Sequence, residues 1–376
     1  MSVAVRFMVT NLVQATASVR SASSTDASFP LTWLLDQLRS KVWRSKLGWN
    51  VVAGFNDKLD FTEAGVARVA TLAVANYATG ALYAAQVQAA MNAAPGATNT
   101  YIVTYSASTK KFTIARATGV DALVLKFAAG APNFATSCHL DLGYTSADKS
   151  GVSHEAENVA YHSREWLKVD LGSALAAGAA VVINHNLIAA GTLKHQANAT
   201  DAWSAPTLDE TLVTTMDEQA VSPAGRLDFF AEATLRWHRL LIEDVQNPDG
   251  FSEVGIWYAG TYYEPASAYA LNWSREWRSL SEIASAVMGA PFLNARPQAR
   301  AFGLEWHNVS ESLRATLQSV VTAAGARKGR CFFLALDATN TPASTLYGFI
   351  PSDIVERHGG GDFWESIGVP FNEALG

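Results

Sequence analysis

Hydrophobic and polar positions along much of the chain follow the two-residue period of β-strands. Apolar residues dominate 166–171, and a second apolar run at 179–183 stops at the polar triplet 184–186. Gly172 separates the two runs, so the pattern predicts strand, turn and strand. We expect Trp166 and Leu171 to face the same core, with a bulge between them because their spacing is odd.

A second pair of strands is predicted at 235–242 and 253–258. Between them lies Asn247-Pro248-Asp249-Gly250, a run of residues that favour turns. Two short apolar strands on either side of such a turn predict a β-hairpin.

Residues 51–155 show a mixed pattern. A helix is predicted over 78–94, with Leu82, Val87 and Met91 near helical spacing and Pro95-Gly96 after its end. The segment 101–116 alternates as two strands around 106–110, which predicts a hairpin, and 122–130 reads as a further strand. Together they predict a compact α+β module.

The C-terminal segment, 264–376, predicts a β-α-β-β unit. Its helix spans 310–324, with Ser310 as N-cap and Leu313, Leu317, Val320 and Val321 on one face. Strands are predicted at 301–306, 331–338 and 345–350. Because Phe332 and Phe333 are consecutive apolar residues, both faces of their strand should be covered.

Composition excludes several classes of function. The chain has 376 residues, 49% hydrophobic and 16% charged, with a net charge of −6, which argues against a nucleic-acid surface. No signal peptide is evident, and the longest apolar stretch, 171–191, is interrupted by Asn184, His185 and Asn186, so membrane insertion is not expected. Cys138 and Cys331 are too few for a disulfide framework or a cysteine zinc site.

The order of the strands suggests a discontinuous domain. Residues 156–263 lack the opening strands of a sandwich, and residues 1–50 supply such a segment. We therefore expect one β-sandwich formed by 1–50 and 156–263, interrupted by the inserted module at 51–155 and followed by the unit at 264–376.

Several short motifs resemble those of a known family. They are Ala22-Ser23-Ser24, Trp43-Arg44-Ser45, the segments 166–172 and 182–186, and the segments 236–240 and 247–255. The first four resemble the discoidin or galactose-binding-like jelly roll, and the last two resemble the closing hairpin of such domains in tailed-phage tail proteins. The module at 51–155 is similar to modules of phage structural proteins.

This resemblance implies a mainly β fold in which a jelly-roll sandwich is interrupted by an α+β module. It implies a non-enzymatic structural protein of a phage tail tip, distal tail or baseplate, acting in assembly and host attachment. Its location would be the virion, after assembly in the host cytoplasm. Its partners would be other copies of itself, neighbouring tail proteins and a host surface glycan, without a cofactor.

Two regions are candidates for contacts. Consecutive aromatic and apolar residues suggest subunit contacts at Trp273, Trp277, Phe332 and Phe333. The alternative is that the sandwich alone covers the second face of the 331–338 strand and that the protein is a monomer on the particle. At the sandwich rim, Asn184, His185 and Asn186 either cap a strand end or bind a ligand.

Two other functions stay open. The first is a carbohydrate-binding receptor module, since exposed tryptophans such as Trp203 stack on sugars, although core packing explains most tryptophans equally well. The second is a divergent hydrolase. His358-Gly359-Gly360-Gly361 resembles an oxyanion loop, but the chain has no G-x-S-x-G and no H-E-x-x-H, so we assign no catalytic or metal-binding residue and expect a flexible glycine loop.

Overall fold

The protein is mainly β, with several antiparallel sheets and two α-helices in the part that the structure describes. The computed structural model describes residues 5–15, 17–36, 40–216, 225–265, 274–279, 282–285, 291–294, 298–324, 331–351, 355–360 and 363–374. Short 3-10 turns lie at Leu12–Gln14, Leu31–Leu35, Phe134–Thr136 and Pro342–Ser344.

The elements are given in chain order. The N-terminal segment and the module contain β1 (Arg6–Met8), β2 (Val19–Ala22), β3 (Trp43–Arg44), β4 (Trp49–Asn50), β5 (Lys58–Glu63), β6 (Val66–Thr71), β7 (Asn76–Tyr77), α1 (Gly80–Asn92), β8 (Thr100–Tyr105), β9 (Phe112–Thr118), β10 (Leu123–Leu125), β11 (Lys149–Ser150) and β12 (Ser153–Glu155). The middle of the chain contains β13 (Glu165–His185), β14 (Thr192–Asn198), β15 (Leu208–Thr211), β16 (Thr214–Thr215), β17 (Arg226–Glu243) and β18 (Glu253–Gly260). The C-terminal part contains β19 (Ser274–Ser279), β20 (Glu282–Ser285), β21 (Pro291–Asn294), β22 (Gln298–Ser310), α2 (Glu311–Ala324), β23 (Phe332–Ala335), β24 (Thr345–Phe349), β25 (Val355–Gly360) and β26 (Phe363–Glu373).

An eight-stranded sheet is built around β13, which pairs with β2, β17 and β18. The two runs predicted to be separate strands form this one 21-residue strand. Gly172, in the left-handed region at φ +74°, lies in a bulge where pairing with β17 shifts between Asp170 and Leu175. The glycine therefore interrupts the ladder without ending the strand, as a bulge does.

The strand β13 has to bend sharply. Glu165 lies opposite Ile242, and His185 lies opposite Val254. A straight strand of this length would span about 70 Å. The chain from Ile242 to Val254 reaches about 40 Å at most. The two halves of β13 therefore fold towards each other, and residues from both, including Leu167 and Val182, share one buried cluster.

The predicted hairpin at 235–242 and 253–258 is wrong in its pairing, although both strands exist. β13 lies between β17 and β18 and is antiparallel to each, so the two run parallel and do not pair. The turn at 247–250 lies in the connection that runs from beside the start of β13 to beside its end. Turn residues specify a local reversal of the chain, but they do not specify which strand fills the space beside it.

The expectation for Trp166 is also wrong. Leu167, Val169 and Leu171 face the cluster shared by the two halves of β13, as alternate residues of a strand must. Trp166 lies on the other face and packs with Phe55 and Leu241.

The N-terminal 50 residues divide among three sheets, because β4 pairs with β7 in a two-stranded sheet of its own. β2 pairs with β13, and β3 pairs with β18. β1 instead pairs with β23 at the edge of a seven-stranded sheet that contains most of the C-terminal strands. The domain boundaries given above stay a prediction.

The module has a core of its own. Its buried cluster extends from Trp49 to Ala160 and includes Tyr83, Val87 and Met91 of α1. Leu82, which we expected on the buried face, is 56% exposed, and Tyr83 takes its place one residue later. The hairpin predicted at 101–116 is confirmed as β8 and β9.

The C-terminal unit has more strands than the predicted β-α-β-β pattern. Ser310 Oγ accepts a hydrogen bond from Leu313 N at 3.3 Å, which confirms the predicted N-cap of α2. Phe332 and Leu334 pack with the apolar face of α2. Phe333 and Ala335 face the other way, onto Val181, Ile183 and Tyr258 of the eight-stranded sheet.

The self-contained core of the module leads to a first prediction. A fragment of residues 49–162 is expected to fold by itself, because every member of its buried cluster lies within that range. Cooperative thermal unfolding and a dispersed amide spectrum would check this. If the fragment is unfolded while the full chain is folded under the same conditions, the module depends on the rest of the chain for its stability.

The packing of β13 leads to a second prediction. Leu167→Ala is expected to cost about 2–5 kcal/mol in the free energy of unfolding, because Leu167 is fully buried in the shared cluster. Val19→Ala on the neighbouring β2 is the control, since Val19 is 68% exposed and should change stability by less than about 0.5 kcal/mol. Chemical denaturation measures the free energy of unfolding of both variants. Equal effects would mean that Leu167 does not face the buried cluster.

Candidate functional site

The polar triplet at the end of β13 has a structural role. Asn184 takes a left-handed conformation at φ +56°, which asparagine tolerates better than most residues. The Asn186 side chain donates to Phe251 O at 3.0 Å and accepts from Glu253 N at 2.8 Å. His185 is 4% exposed, and its Nδ1 accepts from Leu187 N at 3.3 Å. These contacts close the end of β13 against the start of β18, in agreement with the capping interpretation.

The four residues expected at subunit contacts lie in different places. Trp273 is outside the described residues. Trp277 lies on β19 and is 40% exposed. Phe332 and Phe333 are both buried within the chain, one against α2 and the other against the eight-stranded sheet. The expectation that another subunit covers these two rings is therefore wrong, since the chain covers both faces of β23 itself.

The His358-Gly359-Gly360-Gly361 segment is not the expected loop. His358, Gly359 and Gly360 belong to β25, which pairs with β26, and the His358 ring packs edge-on against Trp364. Gly361 lies outside the described residues. Among those residues, no group of three or more histidine, cysteine, aspartate or glutamate side chains could hold a metal ion.

A cleft of about 470 Å³ lies where the module meets the eight-stranded sheet. We call it the junction cleft. The module contributes Phe55 and Phe134, and the loop between β14 and β15 contributes Trp203. The sheet contributes Gln196 of β14 and Arg239 of β17, which stand directly opposite each other across the ladder. Its volume lies within the usual range for small-molecule sites, about 300–1,000 Å³.

Arg239 is the cationic centre of the junction cleft. Its side chain is almost fully buried, its Nε donates to Gln196 Oε1 at 2.8 Å, and its guanidinium lies 4.5 Å from the centre of the Trp203 ring. Its two terminal amino groups have no hydrogen-bond acceptor among the described residues. Burial, together with the nearby charge of Arg164, lowers the pKa of Arg239 to about 10, so the group stays cationic at neutral pH.

The other charges of the cleft already have partners. Arg164 Nε contacts Asp141 Oδ1 at 3.0 Å, and its NH2 group donates to Ser137 O at 2.7 Å. Asp201 accepts from Lys168 Nζ at 2.9 Å, and Asp209 accepts from Gln196 Nε2 at 2.9 Å. Burial alone would lower the pKa of Arg164, but the neighbouring Asp141 and Glu243 raise it. Arg239 is thus the one lining arginine without an ion-pair partner in the described part of the chain.

A second polar group is buried beside the junction. Glu165, at the start of β13, accepts hydrogen bonds from the Ser23 and Ser24 hydroxyls and from Asn50 Nδ2. Burial raises the pKa of Glu165 to about 8 in spite of these donors. The Glu165 side chain is therefore largely protonated at neutral pH. Its hydrogen bonds connect Ser23, Ser24 and strand β4 to β13.

The sequence did not reveal the junction cleft. Of its lining residues, the sequence analysis names Trp203, as one of several tryptophans, and Arg239, as part of the segment 236–240. The remaining residues come from the module, from two sheet strands and from a loop, and these meet only in the folded chain. A detectable signal was Arg239 itself, an arginine directly before the apolar run 240–242 at the end of β17.

The comparisons with known proteins leave the family open. No protein-family model matches the chain, and no curated protein matches it significantly. In the described residues, no helix has the length and apolar character needed to cross a membrane.

The raised pKa of Glu165 leads to a third prediction. Because the folded protein holds this proton more tightly than the unfolded chain, whose carboxyl has an ordinary pKa of 4.5, the contribution of Glu165 to stability falls as the pH rises towards 8. Glu165→Gln is expected to gain stability relative to the natural protein by a few kcal/mol between pH 6.5 and 8.5. Denaturation at several pH values checks this.

Three buried histidines, His139, His162 and His238, have lowered pKa values and affect stability at a lower pH than this measurement covers. Burial lowers the pKa of His238 to about 4, below its ordinary value of 6.5. Protonation of this histidine therefore reduces the stability of the folded protein only at pH values below about 6.5, outside the measured range. Glu155→Gln is the control, because the Glu155 side chain is 59% exposed. If both variants show the same dependence on pH, Glu165 is not the group responsible.

Proposed function

We propose that the protein is a structural subunit of a tailed-phage tail tip or baseplate, without an enzymatic role. The resemblance of its motifs to galactose-binding-like domains of tail proteins supports this proposal. The observation that carries it is a long antiparallel arm in the C-terminal part of the chain, because such an arm suits assembly with a neighbouring subunit.

The arm consists of two successive ladders on the same two chain segments. β19 pairs with β22 from Ser274–Gly303 to Ser279–Gln298, and β20 pairs with β21 from Glu282–Asn294 to Ser285–Pro291. At about 3.4 Å per residue, the first ladder of six residue pairs extends about 20 Å and the second ladder of four pairs about 14 Å. An isolated two-stranded ladder such as β20–β21 gains little stability by itself, so a second surface is expected to support it.

The exposed side of the arm suits a specific partner. Among the described strands, β19 is the last of the seven-stranded sheet, and residues 274–277 are exposed. Arg275 lies over the Trp277 ring at 5.6 Å from its centre. The edge strand of a sheet can accept another strand. The mixed charges of β19 disfavour random pairing and favour a partner whose charges are complementary.

The eight-stranded sheet fits the same role. Its bent central strand places residues of both halves around one core, which supports a jelly-roll sandwich closed by the N-terminal strands β2 and β3. In the proposed particle, the C-terminal sheet docks to other copies or to neighbouring tail proteins. The sandwich and module then face outward, where host attachment takes place.

The arm leads to a fourth prediction. Trp277→Asp is expected to weaken self-association and incorporation into particles at least about tenfold, since an aromatic interface residue typically contributes more than 1 kcal/mol. Sedimentation and light scattering measure the first effect, and the protein content of purified particles measures the second. Val120→Asp is the control, because Val120 is 92% exposed and lies in the module.

The alternative is a monomer attached to the particle through another surface. In that case, the natural protein would stay monomeric at every concentration, and residues 264–376 would contact no other chain in the assembled particle. That outcome would overturn the proposed role of the arm.

A further inference from the structure

We propose that the junction cleft binds a carboxylated saccharide, such as a hexuronate unit of a surface polysaccharide. This inference rests on the cleft alone and does not depend on the arm or on a tail location. Three features carry it: an arginine with free donors, nearby acceptors for hydroxyl groups, and aromatic walls.

The free donors of Arg239 indicate a carboxylate. Two terminal amino groups of one guanidinium present parallel N–H bonds that match the two oxygens of a carboxylate. Arg239 is held in place on one side by Gln196 and on the other by the Trp203 ring, so little side-chain freedom is lost when a ligand binds. A buried cation with unused donors is costly, and an anionic ligand offsets that cost.

The neighbouring acceptors indicate hydroxyl groups on the same ligand. Asp209 lines the cleft and accepts from Gln196, while Asp201 accepts from Lys168 and from the Trp203 indole N–H. Since a carboxylate can accept about four hydrogen bonds, both keep further acceptor capacity. Because both are already partnered, they suit neutral hydroxyl donors better than a second cation. An amino acid, whose ammonium would need an unpartnered carboxylate, fits this arrangement less well.

The same carboxylates disfavour a more highly charged anion. A phosphate group bound at Arg239 would place close to two negative charges beside Asp201 and Asp209, whereas a carboxylate places one. The single cation without an ion-pair partner thus matches a monoanion.

The walls of the cleft suit a sugar ring. Phe55 and Phe134 line the module side, and Trp203 lines the opposite loop. Apolar faces of sugar rings pack on aromatic side chains, while the ring hydroxyls hydrogen-bond at the edges. A carboxylated sugar is the class of ligand that uses all three features of the junction cleft together.

The first experiment titrates the full-length protein by calorimetry with a series of small ligands. The series is an oligogalacturonate, its methyl ester, the corresponding neutral oligosaccharide, inorganic phosphate and glutamate. We expect binding of the oligogalacturonate, with at least about tenfold weaker binding of the ester and of the neutral sugar, because each loses the charged pair with Arg239.

The same series contains the outcomes that overturn the proposal. Equal binding of the acid and its ester would remove the role of the carboxylate. Binding of phosphate or glutamate as tight as that of the sugar acid would assign the cleft to another class of ligand. Absence of binding of the oligogalacturonate at millimolar concentration would also overturn it. None of these results bears on self-association through the arm.

The second experiment locates the bound ligand. Arg239→Gln is expected to weaken binding of the oligogalacturonate about 10- to 100-fold. Arg236→Gln, on the same strand, is the matched control, because Arg236 is exposed and paired with Asp170 away from the cleft. Trp203→Ala is a second variant, on a loop and independent of the β17 core, in case Arg239→Gln disturbs folding. Unchanged binding in folded Arg239→Gln or Trp203→Ala would overturn the assignment to this cleft.

Discussion

The continuity of β13 through its bend is the constraint on which the rest of the structure depends. One half pairs with β2, the other half pairs with β18, and β17 follows it through the bend. Because the strand is not broken at Gly172, the two halves must fold over a single apolar cluster. The opposite face of its second half packs against β23, so the same strand also positions the C-terminal sheet.

The features that could be predicted from the sequence are those encoded locally. Helix α2 was predicted because its N-cap and its apolar stripe lie within one short segment, and the β8–β9 hairpin because its turn joins two alternating strands. The predictions for β17 with β18 and for Trp166 failed because strand neighbours and the choice of face depend on residues far along the chain. The capping role of Asn186 followed from its residue type, but its partners at Phe251 and Glu253 did not.

The junction cleft is formed by the module and the eight-stranded sheet together, and neither part forms it alone. The sheet supplies the charged and polar groups, and the module supplies Phe55 and Phe134 as a wall. The ion pair of Arg164 with Asp141 and the contacts of Glu165 with Asn50 fix the two parts next to each other. The spacing of the walls is therefore set by buried polar contacts rather than by flexible loops, which favours a preformed site.

The pairing of β1 with β23 affects the order in which the chain can fold. Arg6 and Glu264, which form an ion pair beside this strand, are 258 residues apart, and β23 lies further still along the chain. During synthesis, the first strand emerges long before its partner, so it must wait unpaired while the module and the eight-stranded sheet form. Contacts between such distant residues slow folding. Completion of the C-terminal sheet is thus expected to be a late event, which delays formation of the proposed docking surface until the rest of the chain has folded.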